Sequence, residues 1–444
     1  MRSATIAIAA VAACQFSHGV LPATDDGGGD DGPPPPDAGP CQTLASECIG
    51  DTLRVCTAIG TDATDIPCGW GCVDGPPRCA HVIPSGSGGV ATDGVLPSDV
   101  APDGLEPTTF ENVTIDGDTG RIGTPQNANL YHGAAIGIEN GIDYQRRGPI
   151  AMFRFKSLTV GGTITLIGAR PIALVADGAV TIKGIVDARG LCSSFVAGPG
   201  GFNGGSTAGA DGNAPVTTNG GGSGAASDSG GGGGAHASAG GSAEDASGGM
   251  PYGDPTIMTL VGGAGGGAGG GGANFGRGGG GGGALQIVSN TEISIADGGI
   301  NAGGCGGKAG AGNNDSGGGG GAGGTILLEA PSVTVTGTLA ANGGGGGGGG
   351  GNMAKPGDNG ALGTTAAGGG SGDSPDEGGG DGAATGKEAG SGGDGSNPGG
   401  GGGGIGRIRI NTRNGTGATL TSATLSPDPS DPEMRFSTGS AATQ

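Results

Sequence analysis

Three stretches of the sequence end in one pattern, Gly-x-(Val/Ile/Leu)-x-Ala-x-Gly, and that repetition limits the possible folds more than any single residue does. The pattern occupies Gly184/Val186/Ala188/Gly190, Gly298/Ile300/Ala302/Gly304 and Gly337/Leu339/Ala341/Gly343. Each closes a segment of alternating apolar residues: PIALVADGAVTIKGIVDARG from Pro171, ALQIVSNTEISIADGGINAGG from Ala284, and TILLEAPSVTVTGTLAANGG from Thr325. Phe153/Phe155, Leu158/Val160 and Ile164/Leu166 just upstream carry the same alternation as Ile172/Leu174 and Val180/Ile182 within the first segment. Apolar residues at period two, punctuated by Gly or turn residues, are the signature of short strands with one face inward. Three strandlets per turn of roughly 20 residues predict an all-β, right-handed parallel β-helix-like solenoid, with like positions stacked about 4.8 Å apart. A β-sandwich with the repeats as hairpins is the alternative.

Long glycine-rich excursions leave after Gly190, Gly304 and Gly343, and each returns through poly-Gly just before the next strand. Of the 117 glycines, 84 lie between residues 197 and 404. A glycine run can approach other backbone closely because it has no Cβ. Two arrangements are open: extended polyglycine-II strands bundled side by side, or flexible surface loops. Aromatics are only 3% of the chain, so its core must be thin layers of Ile, Val and Leu.

The N-terminus, MRSATIAIAAVAAC, has one basic residue, a short apolar run and then Cys14. That run is too short to span a bilayer, which takes about 20 apolar residues. It reads as a signal peptide over 1–13, and Val11-Ala12-Ala13-Cys14 as a lipobox with Cys14 as the lipid attachment site. An ordinary signal cut at an Ala-x-Ala is the competing reading. Residues 14–40 form an acidic Gly/Pro stalk, suited to hold a head away from a membrane. These features predict an exported lipoprotein at the outer membrane or cell surface of a Gram-negative bacterium, touching the membrane through the lipid alone.

Six cysteines, Cys41, Cys48, Cys56, Cys68, Cys72 and Cys79, crowd into a 41–80 module. In an exported segment too small for a core this implies three disulfides, of unresolved pairing. Zinc is disfavoured because no Cys-x2-Cys pair occurs. Trp70, the only tryptophan, is expected to pack on the bridges. Residues 81–148 then form a connector with the first β segments, and 149–444 the glycine-rich β-repeat domain. Cys192 and Cys305 follow corresponding glycines of the first two repeats. If those repeats are adjacent coils, one rise of about 4.8 Å suits the roughly 4.4–6.8 Å Cα separation of a disulfide, and Cys192 pairs with Cys305. Two free thiols are the rival reading.

CGWGCVDGPPRCAHVIPS from Cys68, VTIDGDTGRI from Val113 and the segment from Ser157 to Gly190 together resemble glycine-rich surface lipoproteins of myxobacteria. The resemblance covers most of residues 41–410 and implies export, a cysteine-stapled module and a β-rich glycine-laden domain. It transfers no activity to any residue.

Little in the chain suggests chemistry. The net charge of −21 repels nucleic acid and anionic membranes. Only His132 and His236 lie beyond residue 100, too few for a triad or a multi-histidine metal site. Asp177, Asp187 and Asp297 could share a solenoid face as in carboxylate-using polysaccharide enzymes, although Asp177 and Asp297 sit at Asp-Gly turn steps. No catalytic residue and no cofactor are expected, beyond weak Ca²⁺ binding in acidic turns. The expected function is a non-catalytic structural or adhesive surface lipoprotein that meets extracellular matrix, polysaccharide or other cells. The alternative is a carbohydrate-binding or carbohydrate-cleaving β-helix protein. Ice or crystal binding by a flat polyglycine-II face is a third reading, against which the sequence shows no regular threonine ladder.

Overall fold

The computed structural model describes residues 46–56, 63–86, 94–100, 103–225 and 227–444. The chain divides into two compact units, Met1–Leu44 with Cys56–Ala63 and Ala45–Val55 with Thr64–Gln444. Only Cys56 and Ala63 of the first are among the described residues, and every described strand belongs to the second. The signal peptide, the stalk, Cys14 and Cys41 lie outside the described residues.

The second unit is almost entirely β. Three large sheets share its alternating segments, and from Ile150 onward their strands follow one another along the chain in the order sheet I, sheet II, sheet III. Sheet I has eight strands, in spatial order Gly137–Glu139, Ile142–Arg147, Ile150–Phe155, Ile172–Ala176, Ala284–Ser289, Thr325–Glu329, Arg407–Thr412 and Phe436–Ser440. Sheet II has six: Pro107–Phe110, Ser157–Val160, Val180–Ile182, Glu292–Ile295, Ser332–Val335 and Ala418–Thr419. Sheet III has seven: Ile122–Gly123, Val113–Asp116, Thr163–Ile167, Ile185–Asp187, Gly299–Asn301, Thr338–Ala340 and Thr424–Ser426. Pairing is parallel throughout sheet II and antiparallel only at the first edge of sheets I and III.

The repeat seen in the sequence is the register of sheet III. Val186 pairs with Ile300, and Ile300 with Leu339, so the central apolar residues of the three motifs form one column. With Ile164 and Leu425 beside them, they belong to a single apolar core shared by the inward faces of all three sheets. The stack also reaches upstream of residue 149. Pro107–Phe110 pairs with Ser157–Val160, and Val113–Asp116 with Thr163–Ile167, so the connector contributes strands to two sheets.

The outward face of sheet I is also buried. Ile150, Met152, Ala173, Val175, Val288 and Leu327 form a second apolar cluster with Trp70, Val82, Val95, Val100, Ile257 and Leu260. Trp70 is therefore part of a core built against the main sheet, besides lying between bridged cysteines. The segment just after the cystine module is tied down by Glu329, a fully buried carboxylate. It accepts hydrogen bonds from the Ser85 amide (3.1 Å), Gln286 Nε2 (2.7 Å) and Asn411 Nδ2 (3.0 Å). Buried carboxylates persist where donors compensate their lost hydration.

The glycine tracts are cross-bonded to one another through their backbones. The Gly317–Gly324 run shows the rule. The amides of Gly317, Gly320 and Gly323 donate to Pro398, Gly401 and Gly404, those of Gly318 and Gly321 to Lys308 and Cys305, and those of Gly319 and Ala322 to Gly267 and Ala264. Its carbonyls accept in the same rhythm, from Gly231 and Gly234, from Gly347 and Gly344, and from Gly279 and Gly282. Every third residue addresses the same neighbour, so this run has six. Backbones approach so closely that a Cβ on Gly317 would lie 1.9 Å from the Gly347 carbonyl oxygen.

Candidate functional site

The structure joins Cys192 to Cys305, with Cα atoms 5.1 Å apart. Within the N-terminal module it joins Cys48 to Cys72 and Cys68 to Cys79, and Cys56 is also disulfide-bonded. The Cys192–Cys305 bridge anchors a small hairpin. Gly190–Leu191 pairs antiparallel with Val196–Ala197, a single 3-10 turn, Cys192–Ser194, lies between them, and Phe195 closes it at φ 59°. A bulky residue in the left-handed region is uncommon and is held there by its surroundings. Here the bridge fixes one side, and Asn203 Oδ1 fixes the other by accepting the Ala197 amide at 2.9 Å.

Two clefts flank this hairpin and share Val196 and Asn203. One, of about 440 Å³, adds Asp118, Thr119, Leu191 and Gly201. The other, of about 230 Å³, adds Ser194, Phe195, Ser206, Asn213 and Arg277. Leu191 and Val196 stay over 40% exposed and form an apolar ridge at the larger cleft, which Ile167 and Ala169 also line. Short hydroxyl and amide side chains beside an apolar ridge can hold a polyhydroxyl molecule.

A buried polar cluster lies at the root of the glycine tracts. His236 Nδ1 is 3.0 Å from the Gly323 carbonyl, its ring is 5.0 Å from that of Tyr252, and Tyr252 donates to the Gly262 carbonyl at 2.6 Å. Arg407 Nη2 donates to the Tyr252 carbonyl at 3.2 Å. Burial, with the Arg407 charge adding to it, pushes the His236 pKa down to about 3, so its imidazole is neutral at pH 7. Burial raises the Tyr252 pKa and lowers that of Arg407. The cluster cross-links three distant segments. No sequence signal marks it, because a lone histidine in a glycine tract carries no spacing.

The three aspartates considered for carboxylate chemistry do not assemble into a site. Asp177, just beyond a sheet I strand, pairs with Lys156. Asp187, in sheet III, pairs with Arg189 Nη2 at 2.7 Å, which raises the Arg189 pKa. Asp297 is exposed in a bend. His132 is buried, with Nδ1 2.7 Å from the Gly133 carbonyl and Nε2 3.1 Å from that of Gly137. Among the described residues, no group of three or more His, Cys, Asp or Glu side chains is placed to hold a metal ion, and no helix is long and apolar enough to cross a membrane. Comparison with protein-family models, curated proteins and solved structures found no match to this chain.

Proposed function

We propose that the chain is a surface-exposed structural or adhesive lipoprotein without catalytic activity, held at the outer membrane of a Gram-negative cell by lipid on Cys14. In this reading the strands form a right-handed parallel β-helix-like solenoid, and the excursions form a polyglycine-II bundle docked on it. In-register parallel pairing between strands far apart in sequence supports the solenoid over an antiparallel β-sandwich. The three-residue rhythm of the glycine hydrogen bonds supports the bundle, since three residues make one turn of the polyproline-II helix.

The observation that carries the structural role is the six-neighbour glycine bundle. The chain spends most of its excursions on cross-bonded backbone and leaves few side chains for chemistry. Disulfides in both the N-terminal module and the repeat region suit an oxidising compartment. Membrane fractionation and intact-mass measurement test the anchor: Cys14→Ser should move the protein to the soluble fraction. Unchanged fractionation and no lipid mass on Cys14 would overturn it.

A second reading, carbohydrate binding, is favoured by the clefts beside the Phe195 hairpin. Calorimetric titration with cellohexaose and with oligogalacturonate tests it. Saturable binding weakened by Phe195→Gly, a change that keeps the left-handed turn, supports it. Heats no larger than dilution for both sugars reject it.

A further inference from the structure

The outward face of sheet II carries a ladder that the linear sequence conceals. Thr109 pairs with Thr159, Thr159 with Thr181, Thr181 with Ser294, Ser294 with Thr334, and Thr334 with Thr419. All six strands of the sheet thus place a hydroxyl residue at one position, without interruption. The flanking residues in the strands alternate inward to the core, as Val160, Ile182, Ile295 and Val335 do, so the six face the other way. Thr109, Thr334 and Thr419 are exposed and Thr159, Thr181 and Ser294 half-buried. Among the described residues, none of the six hydroxyls has a hydrogen-bond partner in the protein.

We propose that this face binds ice. Parallel strands set successive rungs about 4.8 Å apart. Five of the six rungs are threonine, whose branched Cβ restricts χ1, so each rung presents its methyl and hydroxyl with little rotational freedom. Each hydroxyl can donate one hydrogen bond and accept two, which suits water as a partner. The result is a row of like groups at one interval, able to order a line of water molecules that a growing ice surface can incorporate. Binding is summed over six weak contacts on one rigid sheet, so no entropy is spent aligning them.

Composition decides against other periodic surfaces. The ladder holds no aromatic ring for stacking on sugars. It holds no charge, and on its strands only Glu292 is an outward carboxylate, which leaves a charged mineral lattice without counter-groups. Ser157 and Ser332 stand two residues before their rungs and begin a second row, which Pro107 and Glu292 interrupt. This inference does not depend on membrane anchoring, since the ladder belongs to the purified chain.

Partition of the intact Cys14→Ser chain into a slowly growing ice hemisphere, with microscopy of single crystals, tests the idea. The chain should concentrate in ice and facet the crystals. Thr181→Lys at the centre of the ladder, and separately Thr334→Lys at an exposed rung, should each lower retention about tenfold or more with circular dichroism and Tm unchanged. Thr365→Lys, an exposed threonine in the glycine-rich region, should retain the activity. Exclusion of the parent chain from ice would overturn the proposal, as would equal loss in Thr365→Lys. Ladder-dependent retention on chitin or cellulose powder with no ice partition would reassign the face to polysaccharide and overturn it too.

Discussion

Gly298 lies so close to Gly184 that a Cβ placed on it would sit 1.8 Å from the Gly184 carbonyl oxygen. Gly184 stands in the same relation to Gly162, also at 1.8 Å, and the Gly299 amide donates to the Gly184 carbonyl at 2.9 Å. These glycines form a column where the chain turns from sheet II into sheet III. Neither carries a positive φ, so the requirement is space and not backbone conformation. Gly298→Ala should cost about 1–3 kcal/mol through forced displacement of the neighbouring strand, read as a lower urea midpoint. A midpoint equal to the parent would mean that the corner yields freely.

The Cys192–Cys305 bridge closes a loop of 113 residues. Constraining so long a loop in the unfolded chain is worth about 4–5 kcal/mol in the chain-entropy model. The double variant Cys192→Ser/Cys305→Ser should lose a large part of that and expose the hairpin at 190–197 to limited proteolysis. Retention of both stability and protease resistance would show that the glycine bundle alone holds the excursion.

His236 makes stability depend on pH in one direction. Its folded pKa, about 3, lies below the ordinary 6.5, so the fold favours neutral imidazole. Its contribution is complete above pH 6.5, where folded and unfolded histidine are both neutral. As pH falls from 6.5 toward 3 the unfolded chain gains the proton first, and stability drops by up to ~5 kcal/mol. His236→Gln should flatten this dependence between pH 6.5 and 4 in urea titrations. A slope identical to the parent's would place the acid sensitivity in other groups.

Glu329 holds three donors at once. Glu329→Leu removes the acceptor while keeping bulk and leaves the Ser85 amide and two side-chain amides buried without it. The expected loss is about 2–4 kcal/mol, since stranded buried donors cost ~1–3 kcal/mol each and part of this is recovered by relaxation. Earlier proteolytic cleavage between residues 81 and 86 should accompany it. If cleavage and stability are unchanged, the Trp70–Val82 apolar cluster holds that segment without the carboxylate.

The sequence makes the strands legible and leaves most of what joins them hidden. Val186, Ile300 and Leu339 announce their column because a core position repeats its residue type. The cysteines 192 and 305 announce themselves by following equivalent glycines. The threonine ladder is different: its rungs at Thr181 and Ser294 are separated by an entire excursion, and alternation finds a strand without aligning one strand to another. The glycine runs are illegible for a plainer reason. A residue without a side chain cannot reveal which way it faces, so a three-residue rhythm of backbone bonds leaves no trace in composition. His236, Tyr252 and Arg407 come together only through that hidden packing.

The rhythm makes the glycine tracts sensitive to count. Along Gly343–Gly351, the amides of Gly344, Gly347 and Gly350 reach Gly321, Gly318 and Asp315, while those of Gly343, Gly346 and Gly349 reach Ala383, Gly380 and Glu377. Losing one glycine would rotate every later amide by a third of a turn and aim it at the wrong strand, although the composition would hardly change. Losing three would return each amide to its partner. These monotonous stretches therefore carry a reading frame, and their lengths should drift between related chains in steps of three.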